Sequence, residues 1–191
     1  MKNFVIVGTQ RTGSSALGEM IGLHPEVTCG WEWTQNRAFT RLLTIADKAL
    51  SGDFSVLAQK HQDHMARVHH DGKTWLGFRR LFRSSDKWLG HPRLAPALLV
   101  DQLEAHLQWF ARHPDIHVIH IVRCDNIEWL KSKTLSRITN AYWGSEYNPD
   151  IKVAINIREA VKRLTAKNWV DQRLATLQQS NPYLRIIYEE F

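Results

Sequence analysis

The sequence predicts a single α/β domain in which a central, mainly parallel β-sheet lies between layers of helices. Short apolar runs alternate along the chain with longer segments that have helical spacing. Such alternation is typical of strands joined by right-handed crossovers, which bring the carboxyl ends of the strands to one edge of the sheet. The chain has 191 residues, enough for one domain with a full core, and it contains no internal repeat or linker.

Each element is predicted from a local pattern. The first run is apolar, Pro25 prevents continuation of the first helix, and the β-branched residues at 117–122 indicate a buried strand. Strands are expected at 4–8, 27–33, 75–82, 117–123 and 183–189. Helices are expected at 14–23, within 34–50 and 54–70, at 94–112, and within 126–143 and 157–179.

The most informative segment is residues 4–15, where an apolar strand leads into a glycine-flanked, hydroxyl-rich loop and then into a helix. Gly8 and Gly13 frame a turn whose backbone N–H groups can converge on an anion at the positive end of the helix dipole. Their spacing matches a Walker A loop, but Ser14 stands where a nucleoside triphosphatase has its lysine. The cation of this segment is Arg11, inside the loop. The loop therefore predicts an anion site and gives little reason to expect a triphosphate.

Residues 7–17, Val-Gly-Thr-Gln-Arg-Thr-Gly-Ser-Ser-Ala-Leu, resemble the 5′-phosphosulfate-binding loop of the sulfotransferases. Enzymes of that family use 3′-phosphoadenosine 5′-phosphosulfate (PAPS) as donor. The resemblance implies a three-layer, P-loop-like fold. It also implies that Arg11 neutralises charge on the bridging oxygen as the S–O bond breaks. The donor would be bound by Arg11, by the amides of Thr12, Gly13, Ser14 and Ser15, and by the hydroxyls of the two serines.

A second motif lies about 110 residues further along the chain. Arg123 stands at the carboxyl end of the strand at 117–122, where open α/β sheets bind ligands, and the following helical segment carries Ser132. The arrangement resembles the family's 3′-phosphate-binding motif, in which a guanidinium and a hydroxyl donate to one phosphate. Nine residues separate Arg123 from Ser132, whereas the commonest family spacing of eight would place the arginine at Cys124.

The candidate general base is Glu32. In carbohydrate-type bacterial sulfotransferases a similar His-Pro is followed seven residues later by a glutamate that acts as base, and Glu32 lies seven residues after Pro25. Sulfuryl transfer to an alcohol needs a base within hydrogen-bond reach of the hydroxyl proton. Should Glu32 not serve, His24 and His120 are the imidazoles nearest to the expected cleft by sequence.

The composition fits a nucleotide-using enzyme. A net charge of +6 and a pI near 9.5 suit a polyanionic ligand, and the arginines are scattered without a long basic run, so no nucleic-acid partner is expected. Two cysteines, Cys29 and Cys124, are too few for a disulfide framework and match no metal motif. No metal is expected. The sheet edge is expected to gather Arg11, Glu32, Arg79 or Arg80, and Arg123.

The ends of the chain also generate expectations. A strand begins by Phe4, which leaves no room for a signal peptide, and no apolar stretch approaches the ~18 residues of a membrane span. A cytoplasmic location without a membrane partner is expected. The segment that ends in Tyr188-Glu189 resembles a family strand after which members continue with further helices, whereas here the sequence stops at Phe191. A single domain over residues 1–191, shortened at its carboxyl end, is therefore expected.

Taken together, these motifs imply a PAPS-dependent sulfotransferase that acts on a hydroxyl of a carbohydrate or small metabolite, with adenosine 3′,5′-bisphosphate as product. Two alternatives remain open. One is a small-molecule kinase with the same fold, which the missing Walker lysine disfavours. The other is a catalytically silent nucleotide-binding module. The sequence predicts neither the identity of the acceptor nor the oligomeric state.

Overall fold

The computed structural model describes residues 2–32, 73–82, 95–139, 151–152 and 154–190. Its strands are β1 (Lys2–Thr9), β2 (Val27–Glu32), β3 (Trp75–Phe82), β4 (His117–Val122) and β5 (Tyr183–Ile187). Its α-helices are α1 (Ser14–Gly22), α2 (Ala95–Arg112), α3 (Asn126–Thr139) and α4 (Ile157–Ala175). Short 3₁₀ turns follow α4 at Thr176–Gln179 and β5 at Tyr188–Glu190.

The five described strands form one sheet in the order β2-β3-β1-β4-β5, and every neighbouring pair is parallel. The predicted fold class, a mainly parallel sheet flanked by helices, is confirmed. Because the strands are parallel, their carboxyl ends share one edge of the sheet. The loop between β1 and α1 begins at the middle of that edge, and Arg123 follows the adjacent strand β4.

The core lies on both faces of β1. Residues 4–9 are all buried, because β1 has β3 on one side and β4 on the other. On one face Val5 and Val7 pack with the apolar side chains of α2 and α4, among them Trp109, Phe110 and Val170. On the opposite face Phe4 and Ile6 pack against Leu17 of α1. Burial on both faces explains why the sequence of β1 is a continuous apolar run. It also fixes the position of the strand end at which the loop begins.

A buried polar network crosses the core on the α4 side of the sheet. His120 of β4 hydrogen-bonds the Tyr183 hydroxyl at 2.6 Å, and its Nε2 lies 3.8 Å from the Asp171 carboxylate. Asp171 in turn accepts from the buried amino group of Lys167, one turn away on α4, at 3.0 Å. Lys167 Nζ also lies 5.9 Å from the ring of Trp129 on α3. Loss of one partner from a buried ion pair leaves the other charge uncompensated and strongly destabilises the fold. The network therefore holds α4 against β4 and α3.

The element boundaries agree closely with those predicted, with one correction at the carboxyl end. The strand expected at 183–189 ends at Ile187, and Tyr188–Glu190 form a 3₁₀ turn. The helices expected within 34–50 and 54–70 lie outside the described residues.

Candidate functional site

The loop between β1 and α1 contains left-handed residues, a feature of anion-binding nests. Arg11 has a φ of 69° and Gly13 a φ of 82°, so two residues of the turn are left-handed. Successive turn N–H groups converge in such a conformation and form a positively polarised concavity. For a residue with a side chain, a left-handed φ is uncommon and costs about 1–2 kcal/mol, so surrounding contacts must hold Arg11 in place.

Helix α1 begins with its N–H groups directed at this concavity. Gly13 is the N-cap residue and supplies no side chain to cap the helix, and the first turn contains no acidic residue. The first N–H groups of a helix have no intrahelical partner, so those of Ser14 and Ser15 remain suited to an anion. The Thr12 hydroxyl is committed elsewhere, since it donates to the Thr9 carbonyl at 2.8 Å. Thr12 therefore can offer an anion its backbone N–H.

Helix α3 holds the loop from the side. The Trp129 indole N–H donates to the Gln10 carbonyl at 2.7 Å, and the Lys133 ammonium donates to the Gln10 side-chain oxygen at 2.7 Å. Both side chains are buried. The sequence motifs did not identify these residues, although Trp129, Ser132 and Lys133 occur at the i, i+3, i+4 spacing of one helix face, which is the signal that points to them.

The structure brings three predicted binding residues together. Arg11 Nε donates to the Ser132 hydroxyl at 3.0 Å, and Arg123 Nη1 donates to the Arg11 carbonyl at 3.4 Å. The residue assigned to the 5′ end of the donor therefore contacts both residues assigned to the 3′-phosphate. Neither the loop sequence nor the nine-residue spacing between Arg123 and Ser132 revealed that Arg11 contacts both of these residues.

The two loop glycines are required by close contacts as well as by conformation. A Cβ on Gly8 would lie 2.6 Å from the carbonyl oxygen of Ile121 in β4. A Cβ on Gly13 would lie 2.3 Å from ring carbons of Tyr188, which follows β5. Both distances are far below van der Waals contact. Gly8 and Gly13 therefore let this part of the chain pack directly against β4 and against Tyr188, which follows β5.

Glu32 is the last residue of β2, at the carboxyl edge of the sheet. A bulge between Cys29 and Glu32 shifts the register, so that Glu32 pairs with Arg79 of β3. Because β3 separates β2 from β1, Glu32 lies about 10 Å across the sheet from β1, level with Ile6, which is three residues before the end of that strand. The side chain of Glu32 lies outside the described part of the structure, and its role as base stays a prediction.

Arg79, expected at the same edge, lies beneath α1. A Cβ on Gly18 of α1 would meet its Cδ at 3.2 Å and the Cys29 sulfur at 3.3 Å. Burial raises the pKa of the Cys29 thiol to about 11, and the Arg79 charge acts in the opposite direction. The thiol is therefore protonated at neutral pH. The side chain of Arg80, the alternative at this position, is outside the described residues.

The two histidines considered as alternative bases are poorly placed. His120 is 1% exposed and is hydrogen-bonded within the core. His24 lines a cavity of about 530 Å³ together with residues at the amino ends of the strands, such as Phe4, Trp75 and His117. That cavity is at the edge of the sheet opposite to the loop. Glu32 therefore remains the candidate base.

Metal-ligand clusters and membrane-spanning helices were sought in the described residues alone. Among residues 2–32, 73–82, 95–139 and 151–190 apart from 153, no group of three or more His, Cys, Asp and Glu side chains is arranged to hold a metal ion. In the same part of the chain, no helix combines the length and apolar character needed to cross a membrane.

The comparison with known proteins agrees with this geometry. A family model described as "Sulfotransferase family" matches residues 3–191, essentially the whole chain. No curated protein matches the sequence significantly.

We expect Gly13→Ala to disrupt the loop. The variant combines a left-handed φ with an overlap against the Tyr188 ring, and the free energy of unfolding should fall by about 1–3 kcal/mol. Gly22→Ala is the matched control, because a Cβ there would lie 3.9 Å from its nearest neighbour, and its effect should stay within about 0.5 kcal/mol. Urea denaturation measures both. Equal stabilities of the two variants would contradict the packing described here.

Proposed function

The chain belongs to the sulfotransferase family, and we propose that it transfers the sulfuryl group of PAPS to a hydroxyl of a carbohydrate or small metabolite. The observation that carries this proposal is the meeting of two anion-binding elements at one edge of the sheet. The nest that follows β1 suits a 5′-phosphosulfate. Arg123 and Ser132, which come from the adjacent β4–α3 segment, suit the 3′-phosphate of the same nucleotide.

The described residues fit such a donor in two respects. Helix α1 begins at Ser14 without a side-chain cap and without an acidic residue in its first turn, so its first N–H groups suit an anion. In addition, the side chain of Arg123 is only 15% exposed, and its Nη1 is directed to the loop, where it donates to the Arg11 carbonyl. A largely buried guanidinium beside the loop favours the binding of an anion.

When bound, PAPS supplies the sulfuryl group that is transferred. The acceptor oxygen forms a bond to sulfur while the bond from sulfur to the bridging phosphate oxygen breaks, and adenosine 3′,5′-bisphosphate leaves. The loop N–H groups and Arg11 stabilise the negative charge that develops on the bridging oxygen. Because these groups are preorganised in the fold, their contribution is made without reorganisation during the reaction.

Glu32 accepts the proton of the acceptor hydroxyl in this proposal. Its support is positional, since it is the last residue of β2, two strands away from β1 and level with Ile6, three residues before β1 ends at the loop. A separation of about two strand spacings across the sheet leaves room for an acceptor between the base and the donor.

A kinase reaction is disfavoured by the chemistry of the loop. Ser14 stands in place of the Walker lysine, and Lys133, which does reach the loop, contacts Gln10 from the side. Mg²⁺-dependent transfer from ATP to the same acceptor, without transfer from PAPS, would establish the kinase alternative.

The nucleotide preference tests the proposed donor site. Adenosine 3′,5′-bisphosphate should bind well and 5′-AMP poorly, because Arg123 and Ser132 would recognise the additional phosphate. Arg123→Ala should remove most of that preference, with a loss of about 1.5–3 kcal/mol for a charge-assisted hydrogen bond. Isothermal titration calorimetry measures the affinities.

Arg112→Ala is the control for this experiment. Arg112 is an exposed arginine at the end of α2, near the amino ends of the strands, and its removal changes the net charge equally. The control should retain the wild-type preference. Equal affinities of the unmodified protein for the two nucleotides would contradict the 3′-phosphate assignment.

The proposed base is tested by Glu32→Gln. Glutamine preserves size and hydrogen bonding but does not take the proton, so turnover should fall by roughly 10²- to 10⁴-fold at nearly unchanged donor affinity. Glu26→Gln is the control, because Glu26 is an exposed carboxylate just before the other end of β2. Near-normal turnover of Glu32→Gln with a competent acceptor would assign the base elsewhere.

A further inference from the structure

Tyr188 and Glu189, the two residues after β5, contact both anion-binding elements. The guanidinium carbon of Arg123 lies 4.8 Å from the centre of the Tyr188 ring, and Glu189 Oε1 lies 3.8 Å from Arg123 Nε. The same Tyr188 ring packs against Gly13 of the loop. Two consecutive residues thus fix Arg123 from two directions and connect it to the phosphate loop.

Glu189 also fixes the backbone around Arg123. Its carboxylate accepts hydrogen bonds from the backbone N–H groups of Cys124 and Asp125, each at 3.0 Å. Asp125 then caps α3 by accepting from Ile127 and Glu128. The carboxylate therefore determines how the chain turns from β4 into the helix that carries Ser132.

The charge state of Glu189 suits this role. Desolvation by partial burial acts to raise the pKa of its carboxyl, but the two backbone N–H groups and the positive charge of Arg123 lower it, and the net result is a pKa below the usual value. Glu189 is accordingly ionised at neutral pH, and it attracts the guanidinium that it faces.

We propose that Glu189 is a positioning residue for recognition of the 3′-phosphate, acting through Arg123 and the β4–α3 turn. This inference rests on the proposed function. Glu189 approaches the Nε side of the guanidinium, whereas Nη1 is directed to the Arg11 carbonyl. The carboxylate thus supports Arg123 from one side and leaves the loop side for the nucleotide. Tyr188 assists by holding the plane of the guanidinium.

The opposite role is a carboxylate that occupies the phosphate position and must leave when nucleotide binds. The two roles predict opposite signs for Glu189→Gln, which removes the charge and keeps the shape. Loss of a positioning residue should weaken binding of adenosine 3′,5′-bisphosphate and leave 5′-AMP nearly unaffected. Removal of a competing anion should strengthen binding of the bisphosphate.

The experiment is calorimetric titration of both nucleotides into the wild-type protein, Glu189→Gln and the control Glu190→Gln, which changes the neighbouring exposed carboxylate. Mutation of a side chain that orients a metal ligand lowers metal affinity by about 10- to 100-fold. By the same orientation effect, we expect Glu189→Gln to lose roughly tenfold in affinity for the bisphosphate. Affinity for 5′-AMP should change by less than about twofold. Glu190→Gln should behave as wild type.

A gain in bisphosphate affinity, or an equal loss for both nucleotides, would overturn the inference while leaving the proposed function intact. A wild-type protein without any preference for the bisphosphate would overturn both. If Glu189→Gln does not fold, Glu189→Asp provides the test, because it keeps the charge on a shorter side chain. A reduced ratio of bisphosphate to 5′-AMP affinity in that variant supports positioning, and an unchanged ratio contradicts it.

Discussion

The left-handed backbone of Arg11 is the constraint on which the site depends. A non-glycine residue keeps that conformation only when its surroundings determine it, and contacts from the described residues around the loop contribute to this. Trp129 donates a hydrogen bond to the Gln10 carbonyl, which directly precedes Arg11. Arg123 donates to the Arg11 carbonyl, and the Arg11 side chain donates to the Ser132 hydroxyl. The conformation of the loop is thus maintained by α3 and by the end of β4.

This dependence explains why distant segments of the chain form one site. The parallel pairing of β1 with β4 and of β4 with β5 puts the segments that follow these strands side by side. The loop, the Arg123 turn and the Tyr188–Glu189 pair are therefore neighbours, although about 180 residues of sequence separate the first from the last. Binding of a nucleotide with phosphates on both the 5′ and 3′ positions needs these segments in register, which a sheet with fixed strand order provides.

The sequence predicts the fold well because its signals are local. An apolar run followed by a glycine-bounded loop specifies a strand–loop–helix unit whatever lies elsewhere in the chain, and the Arg123 and Ser132 positions follow from one strand and one helix. The contacts of Gln10 with Trp129 and Lys133 depend on packing between segments about 120 residues apart, for which a single sequence carries no direct signal. The contacts of Glu189 could not be predicted either, because the sequence of the turn after β5 resembles a continuation of the strand.

The central claim is that one preorganised site binds both phosphates of a single nucleotide. Phosphorus-31 NMR of adenosine 3′,5′-bisphosphate tests it most directly, since the 5′- and 3′-phosphates give separate resonances. Both resonances should shift on addition of the protein and saturate at the same protein concentration. A shift of only one resonance, or two shifts that saturate independently, would contradict a shared site.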